Sequence, residues 1–117
     1  MGQVLVDYEG GVCVVQPPER VDVSNAAHLL EVIQQEVASG HRAILVDLGR
    51  TDTLDSTALG ALVQAYKWLQ TGNGSLALVA VGEPVRRVLS LTRLDDVFTL
   101  YAERSEAVAA MGQNSVA

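Results

Sequence analysis

The side chains best suited to chemistry lie close together: Asp47, Asp52, Asp55 and Ser56, with Thr57 directly after. They flank the end of one apolar run, Ile44-Leu45-Val46-Asp47-Leu48, and the start of a segment whose apolar residues recur at helical spacing. The pattern reads as strand, loop, helix. In α/β sheets, ligands collect at strand carboxyl ends and adjacent helix N-termini, where N–H groups lack partners and the helix dipole favours negative charge. A hydroxyl there is a natural phosphate seat. A plain alternative is that Asp55 or Ser56 caps the helix, worth about 1 kcal/mol. Residue type leaves both readings open. Capping does not explain why Asp, Ser and Thr all precede Ala58, Gly60 and Ala61, small residues that would let another protein approach the helix closely.

Other chemistries find less support. No glycine-rich loop ends in Gly-Lys-Ser or Gly-Lys-Thr, and Lys67, the only lysine, falls inside a helical pattern, which argues against nucleotide hydrolysis of that type. Gly72-Asn73-Gly74 reads as a turn. His28 and His41 lack the paired spacing of a metal site and are expected at the surface. A nucleophilic Ser56 assisted by Asp47 or Asp55 would need a base, but no histidine is placed to serve and no lysine lies nearby. No catalytic residue, resident cofactor or metal is therefore expected.

The chain has 117 residues, 49% of them apolar and only 4% aromatic, so one domain with a core of Val, Leu, Ile and Ala is expected. With 8 basic and 14 acidic residues the net charge is -6, which disfavours nucleic acid or anionic membrane as a partner and favours a basic or neutral protein surface. The lone cysteine, Cys13, lies in an apolar run and is expected to be buried, in a reducing compartment. No leader pattern or long apolar span occurs, so a soluble, cytoplasmic protein is expected.

The elements that must position the polar cluster follow from periodicity. Val4 to Asp7 and Val12 to Gln16 form a hairpin around Gly10-Gly11, and Pro17-Pro18 end it. Asp22 or Ser24 caps a helix with Ala26, Leu29, Leu30, Ile33 and Val37 inward, stopped by Gly40. Ala43 to Leu48 is a central strand with Asp47 near its carboxyl end. The helix from Ser56 turns Leu59, Leu62, Val63, Tyr66 and Leu69 inward, and Leu76 to Val81 is the next strand. A helix opening at Gly82-Glu83-Pro84 buries Val85, Val88, Leu89 and Leu91 and leaves Arg86, Arg87 and Arg93 solvated. Val97 to Tyr101 is the last strand, Ser105 to Met111 the closing helix, and residues 113–117 a disordered tail following a domain over 1–112. The fold class is α/β, ordered ββαβαβαβα, with four helices and a mostly parallel sheet whose first strand is antiparallel.

Leu54-Asp55-Ser56-Thr57-Ala58-Leu59-Gly60, preceded by Val46-Asp47-Leu48 and Val21-Asp22, resembles the bacterial anti-sigma factor antagonists of the STAS domain family, over nearly the whole chain. The resemblance implies that Ser56, directly after the aspartate, is phosphorylated by an anti-sigma factor that is itself a serine kinase. Thr57 is the alternative acceptor. It further implies that Asp22, Asp55, Ser56, Thr57, Ala58 and Gly60 meet the partner, that the unphosphorylated protein binds the kinase and frees a sigma factor, and that a phosphatase reverses the mark. ATP and magnesium would then belong to the kinase. Glu19 and Ala58 stand where the family usually has glycine, adding bulk near the contact surface. STAS domains also serve transporters and signalling scaffolds, so an accessory subunit of a lipid or anion transport complex, or a non-phosphorylated signalling scaffold, is the alternative role.

Overall fold

The structure is a computed structural model that describes residues 3–115, with side chains through residue 112. Strands β1 (Leu5–Glu9) and β2 (Val12–Gln16) pair antiparallel around Gly10 and Gly11, whose φ values of 56° and 83° suit a tight hairpin turn. After β3 (Arg20–Val21) come α1 (Ala26–Ala38), β4 (Ala43–Asp47), β5 (Thr53–Leu54) and α2 (Ser56–Thr71). Then follow β6 (Ser75–Val79), α3 (Glu83–Leu91), a 3-10 turn at Leu94–Asp96, β7 (Thr99–Tyr101) and α4 (Arg104–Ser115). The main sheet runs β1-β2-β4-β6-β7 and is parallel from β2 onward. The expected α/β architecture is thus present.

Both faces of the main sheet's inner strands β2, β4 and β6 are covered, which explains their unbroken apolar runs. Side chains alternate: Cys13, Val15, Ile44, Val46, Leu76 and Leu78 join a core with α1, α2 and α3, while Val12, Val14, Ala43, Leu45, Ala77 and Val79 pack with Ala107 and Met111 of α4. A Cβ on Gly112 would lie 2.6 Å from the Gly10 carbonyl oxygen, so glycine there lets α4 pass directly against the hairpin turn. Helix α4 runs beyond the expected end at Met111 to Ser115; of the tail expected over 113–117, residues 116 and 117 lie outside the described residues.

Two local expectations are corrected. Leu91 is 79% exposed, because six residues beyond Val85 it has rotated off the stripe formed by Val85 and Leu89. Neither Asp22 nor Ser24 is the N-cap of α1; Asn25 holds that position and makes no side-chain cap bond, since its amide turns back to the Asp22 N–H and the Arg20 carbonyl, both at 2.9 Å. A second, two-stranded sheet pairs β3 parallel to β5, and strands of two residues leave no period in the sequence.

At the hairpin, one carboxylate oxygen, Glu36 Oε1, accepts from the Tyr8 hydroxyl at 2.8 Å and the buried Cys13 thiol at 3.6 Å, and lies 3.2 Å from His41 Nδ1. The bond to Glu36 pushes the Tyr8 hydroxyl from its ordinary 10.0 to about 12, and burial, aided by the charge of Glu36, pushes Cys13 from 9.0 to about 12. Both groups are harder to ionise when folded, so the stability this gives is complete below pH 9 and lost as pH rises toward 12. The urea midpoint should fall over that window, and Cys13→Ala should flatten the fall. An unchanged midpoint across the window would contradict this origin.

Candidate functional site

Two loops come together at the carboxyl end of the sheet because β3 pairs with β5. The Glu19 carbonyl accepts from the Asp52 and Thr53 amides at 2.9 and 3.2 Å, and the Val21 carbonyl accepts from the Asp55 amide at 3.2 Å. This pairing sets Asp22 beside Asp55, although they are far apart in the chain. Arg50 and Thr51, unremarked as sequence, anchor the approach. Arg50 Nη2 donates to the carbonyls of Gln3, Gln16 and Pro17 at 3.0–3.2 Å, and buried Thr51 donates its hydroxyl to the Pro18 carbonyl at 2.8 Å. Side-chain donors aimed at backbone carbonyls could have been suspected only from their place opposite Pro17-Pro18, where the ladder has ended.

Asp55 is the N-cap of α2, and its carboxylate serves two elements. Oδ1 accepts from the Ala58 N–H at 2.8 Å, satisfying a free donor of the first turn, while Oδ2 accepts from the Val23 N–H at 3.0 Å in the loop leading to α1. Capping, one of the two readings of the sequence, is therefore real, and the same residue also fastens the neighbouring loop. Asp55→Ala removes both acceptors and should lower stability by about 2 kcal/mol. Calorimetry on Asp55→Ala and Asp55→Asn tests this, the amide being expected to lose about half as much because one acceptor oxygen remains. Equal melting of Asp55→Ala and wild type would dismiss the bridge.

Ser56 is the first residue of α2, exposed, and Thr57 beside it is exposed too. Asp22 is half-buried, and its Oδ1 accepts from both the amide and the hydroxyl of Ser24. Those bonds, the hydroxyl first, hold the Asp22 carboxyl below its ordinary value, so it stays charged. Asp22, Asp55, Ser56 and Thr57 thus share one acidic, hydroxyl-bearing surface at the positive end of α2.

The expected small-residue approach is corrected. Ala58 is 0% exposed and Ala61 8%, both facing the core, so Ala58 offers this surface only a backbone amide already taken by Asp55. Gly60 alone of that set is at the surface, with open space where a Cβ would project. Nor do the four sequence-proximal polar residues form one cluster. Alternation along β4 sends Asp47 to the α4 side, where Gly49 N–H donates to Oδ1 at 2.9 Å and Arg104 to Oδ2 at 3.0 Å. Asp52 instead lines an open cleft of about 500 Å³ with Arg20, Arg50, Asp22 and Ser24. Among the described residues, no group of three or more His, Cys, Asp or Glu side chains is arranged to hold a metal ion, and no helix is long and apolar enough to cross a membrane.

The family model described as STAS domain matches residues 3–107. The chain belongs to the STAS domain family. This STAS domain is 34% identical over 99 residues to a candidate anti-sigma factor antagonist of Thermotoga maritima, covering 83% of this chain and 87% of that one. It is 30% identical over 105 residues to the anti-sigma-F factor antagonist RsfB of Mycobacterium tuberculosis, covering 90% and 85%. The crystal structure of an anti-sigma factor antagonist from Mycobacterium paratuberculosis superposes with a TM-score of 0.86 at 32% identity, covering 95% and 94%. The STAS domain here therefore spans most of each relative's length.

Proposed function

We propose that this STAS domain is an anti-sigma factor antagonist: it binds an anti-sigma factor through the surface formed by Asp22, Asp55, Ser56 and Thr57, and phosphorylation of Ser56 by that partner, a serine kinase, releases it. It acts by being bound and modified rather than by catalysis. One observation carries the reading. Ser56 is exposed at the first position of α2 directly after Asp55, whose carboxylate ties that helix start to the loop bearing Asp22. A phosphate there adds about -1.5 to -2 charge to a surface that already holds two carboxylates, yet free N–H groups and the helix dipole accommodate it within the fold. Binding changes without refolding. A phosphatase would restore the binding form. The names and similarity of the relatives support the general role.

The test is the intact mass of the protein from its own cells, with peptide mapping from Arg50 to Lys67. One phosphate on Ser56, absent in Ser56→Ala, together with copurification of a serine-kinase anti-sigma factor, is the expected result. A modified Thr57 with clean Ser56 would move the site. Consistent absence of phosphate, with a transporter subunit as the copurifying protein, would overturn the reading.

A further inference from the structure

We infer that Val23 is the apolar anchor of this surface, seated on binding in an apolar pocket of the anti-sigma factor whose rim is cationic; the inference rests on the function proposed above. Single exposed aliphatic residues are ordinary, so exposure alone marks nothing. Val23 differs in how it is held. It is 75% exposed, yet every neighbour of its backbone is tied down: Asp55 Oδ2 accepts from its own amide, Asp22 Oδ1 accepts from Ser24 on one side, and Asn25 binds Asp22 N–H and the Arg20 carbonyl behind it. No part of that network uses the Val23 side chain. The loop therefore presents an isopropyl group in a fixed position, one residue from Asp22 and hydrogen-bonded to the residue preceding Ser56.

A β-branched side chain on a pre-ordered loop loses little entropy when covered, which is what an interface anchor requires. Its flanks are acidic, Asp22 on the chain and Asp55 across the loop, so a complementary pocket is apolar at its floor and basic at its rim. Leu91, the other very exposed aliphatic residue among the described residues at 79%, lacks this arrangement: it ends α3. The same geometry gives the phosphate at Ser56 a second way to act, because it places a strongly hydrated group close to the proposed apolar anchor.

Titration calorimetry with the purified anti-sigma factor serine kinase tests the assignment, using wild type, Val23→Ala, Val23→Thr, Val23→Ile, Leu91→Ser and Ser56→Glu. Val23→Ala and the isosteric Val23→Thr should each weaken binding roughly tenfold, by lost apolar burial and by an unpaired buried hydroxyl respectively. Val23→Ile and Leu91→Ser should bind within a factor of about two of wild type, and melting temperatures should move little because Val23 is 75% exposed. If Val23→Ala and Val23→Thr bind as wild type while Ser56→Glu is weakened, Val23 is not an anchor though the proposed function stands. If wild type does not bind the kinase, or Ser56→Glu binds equally well, the function itself fails and the anchor with it.

Discussion

Arg104→Met should lower the unfolding free energy by about 2 kcal/mol, with a fall in melting temperature of roughly 8 °C. The guanidinium donates to Asp47 Oδ2 at 3.0 Å and lies 3.6 Å from Asp7 and Glu9 carboxylate oxygens, so one side chain of α4 gathers charges from β1 and β4. Hydrogen bonding to Asp47 raises the Arg104 pKa, which favours the charged guanidinium. Asp47 is only 8% exposed, and without Arg104 its carboxylate retains the Gly49 amide alone in a dry setting. Removing one member of a buried pair costs about 3–5 kcal/mol, and the smaller value here reflects an arginine side chain that is 32% exposed. Pairing Asp47→Asn with Arg104→Met should recover much of the loss by removing the stranded charge. Circular dichroism melts of the single and double variants decide it. A single variant as stable as wild type would show that the pair contributes nothing.

If Ser56 is the phosphorylated residue, as proposed, its phosphorylation should lower affinity for the anti-sigma factor by about a hundredfold, close to 3 kcal/mol at 1.4 kcal/mol per factor of ten. The expected loss arises at the interface. A phosphate dianion must be stripped of water against the partner while standing beside Asp22 and Asp55, and neither carboxylate can pair with it. The fold itself gains slightly, because the first position of α2 meets the positive end of the helix dipole, so the melting temperature should change by no more than about 2 °C. Calorimetric titration of the kinase with phosphorylated protein, Ser56→Ala and wild type separates these effects. Ser56→Ala should bind like wild type and accept no phosphate at that position. Equal affinity of phosphorylated and unmodified protein would remove the switch.

Much of this molecule was legible from one sequence because burial writes itself into periodicity. The runs Val12 to Gln16, Ala43 to Leu48 and Leu76 to Val81 read as strands, the second of them central, because apolar segments of that length suit a sheet covered on both faces, although the strands themselves end at Gln16, Asp47 and Val79. The helix face of Leu59, Leu62 and Leu69 followed from a 3.6-residue repeat, and Asp55-Ser56 announced a helix start because a free N–H needs an acceptor. What lay outside that logic depends on contacts between segments remote in sequence. The β3–β5 pairing, two residues long on each side, has no period to detect, yet it brings Asp22 to Asp55, where the Val23 amide bond to Asp55 fastens the loop. Alternation around Asp47 could be counted, but only the docking of α4 decided that an arginine, rather than solvent or the Ser56 surface, would meet it. The two alanines assigned by sequence to a partner's approach turned inward when the helix settled on the sheet, and Val23, one valine among many in the sequence, became a held and exposed side chain through the second oxygen of a capping carboxylate. Local hydrogen-bond demand and apolar spacing determine elements; which polar groups meet is settled only when those elements pack, because each such meeting spans tens of residues and leaves no local trace.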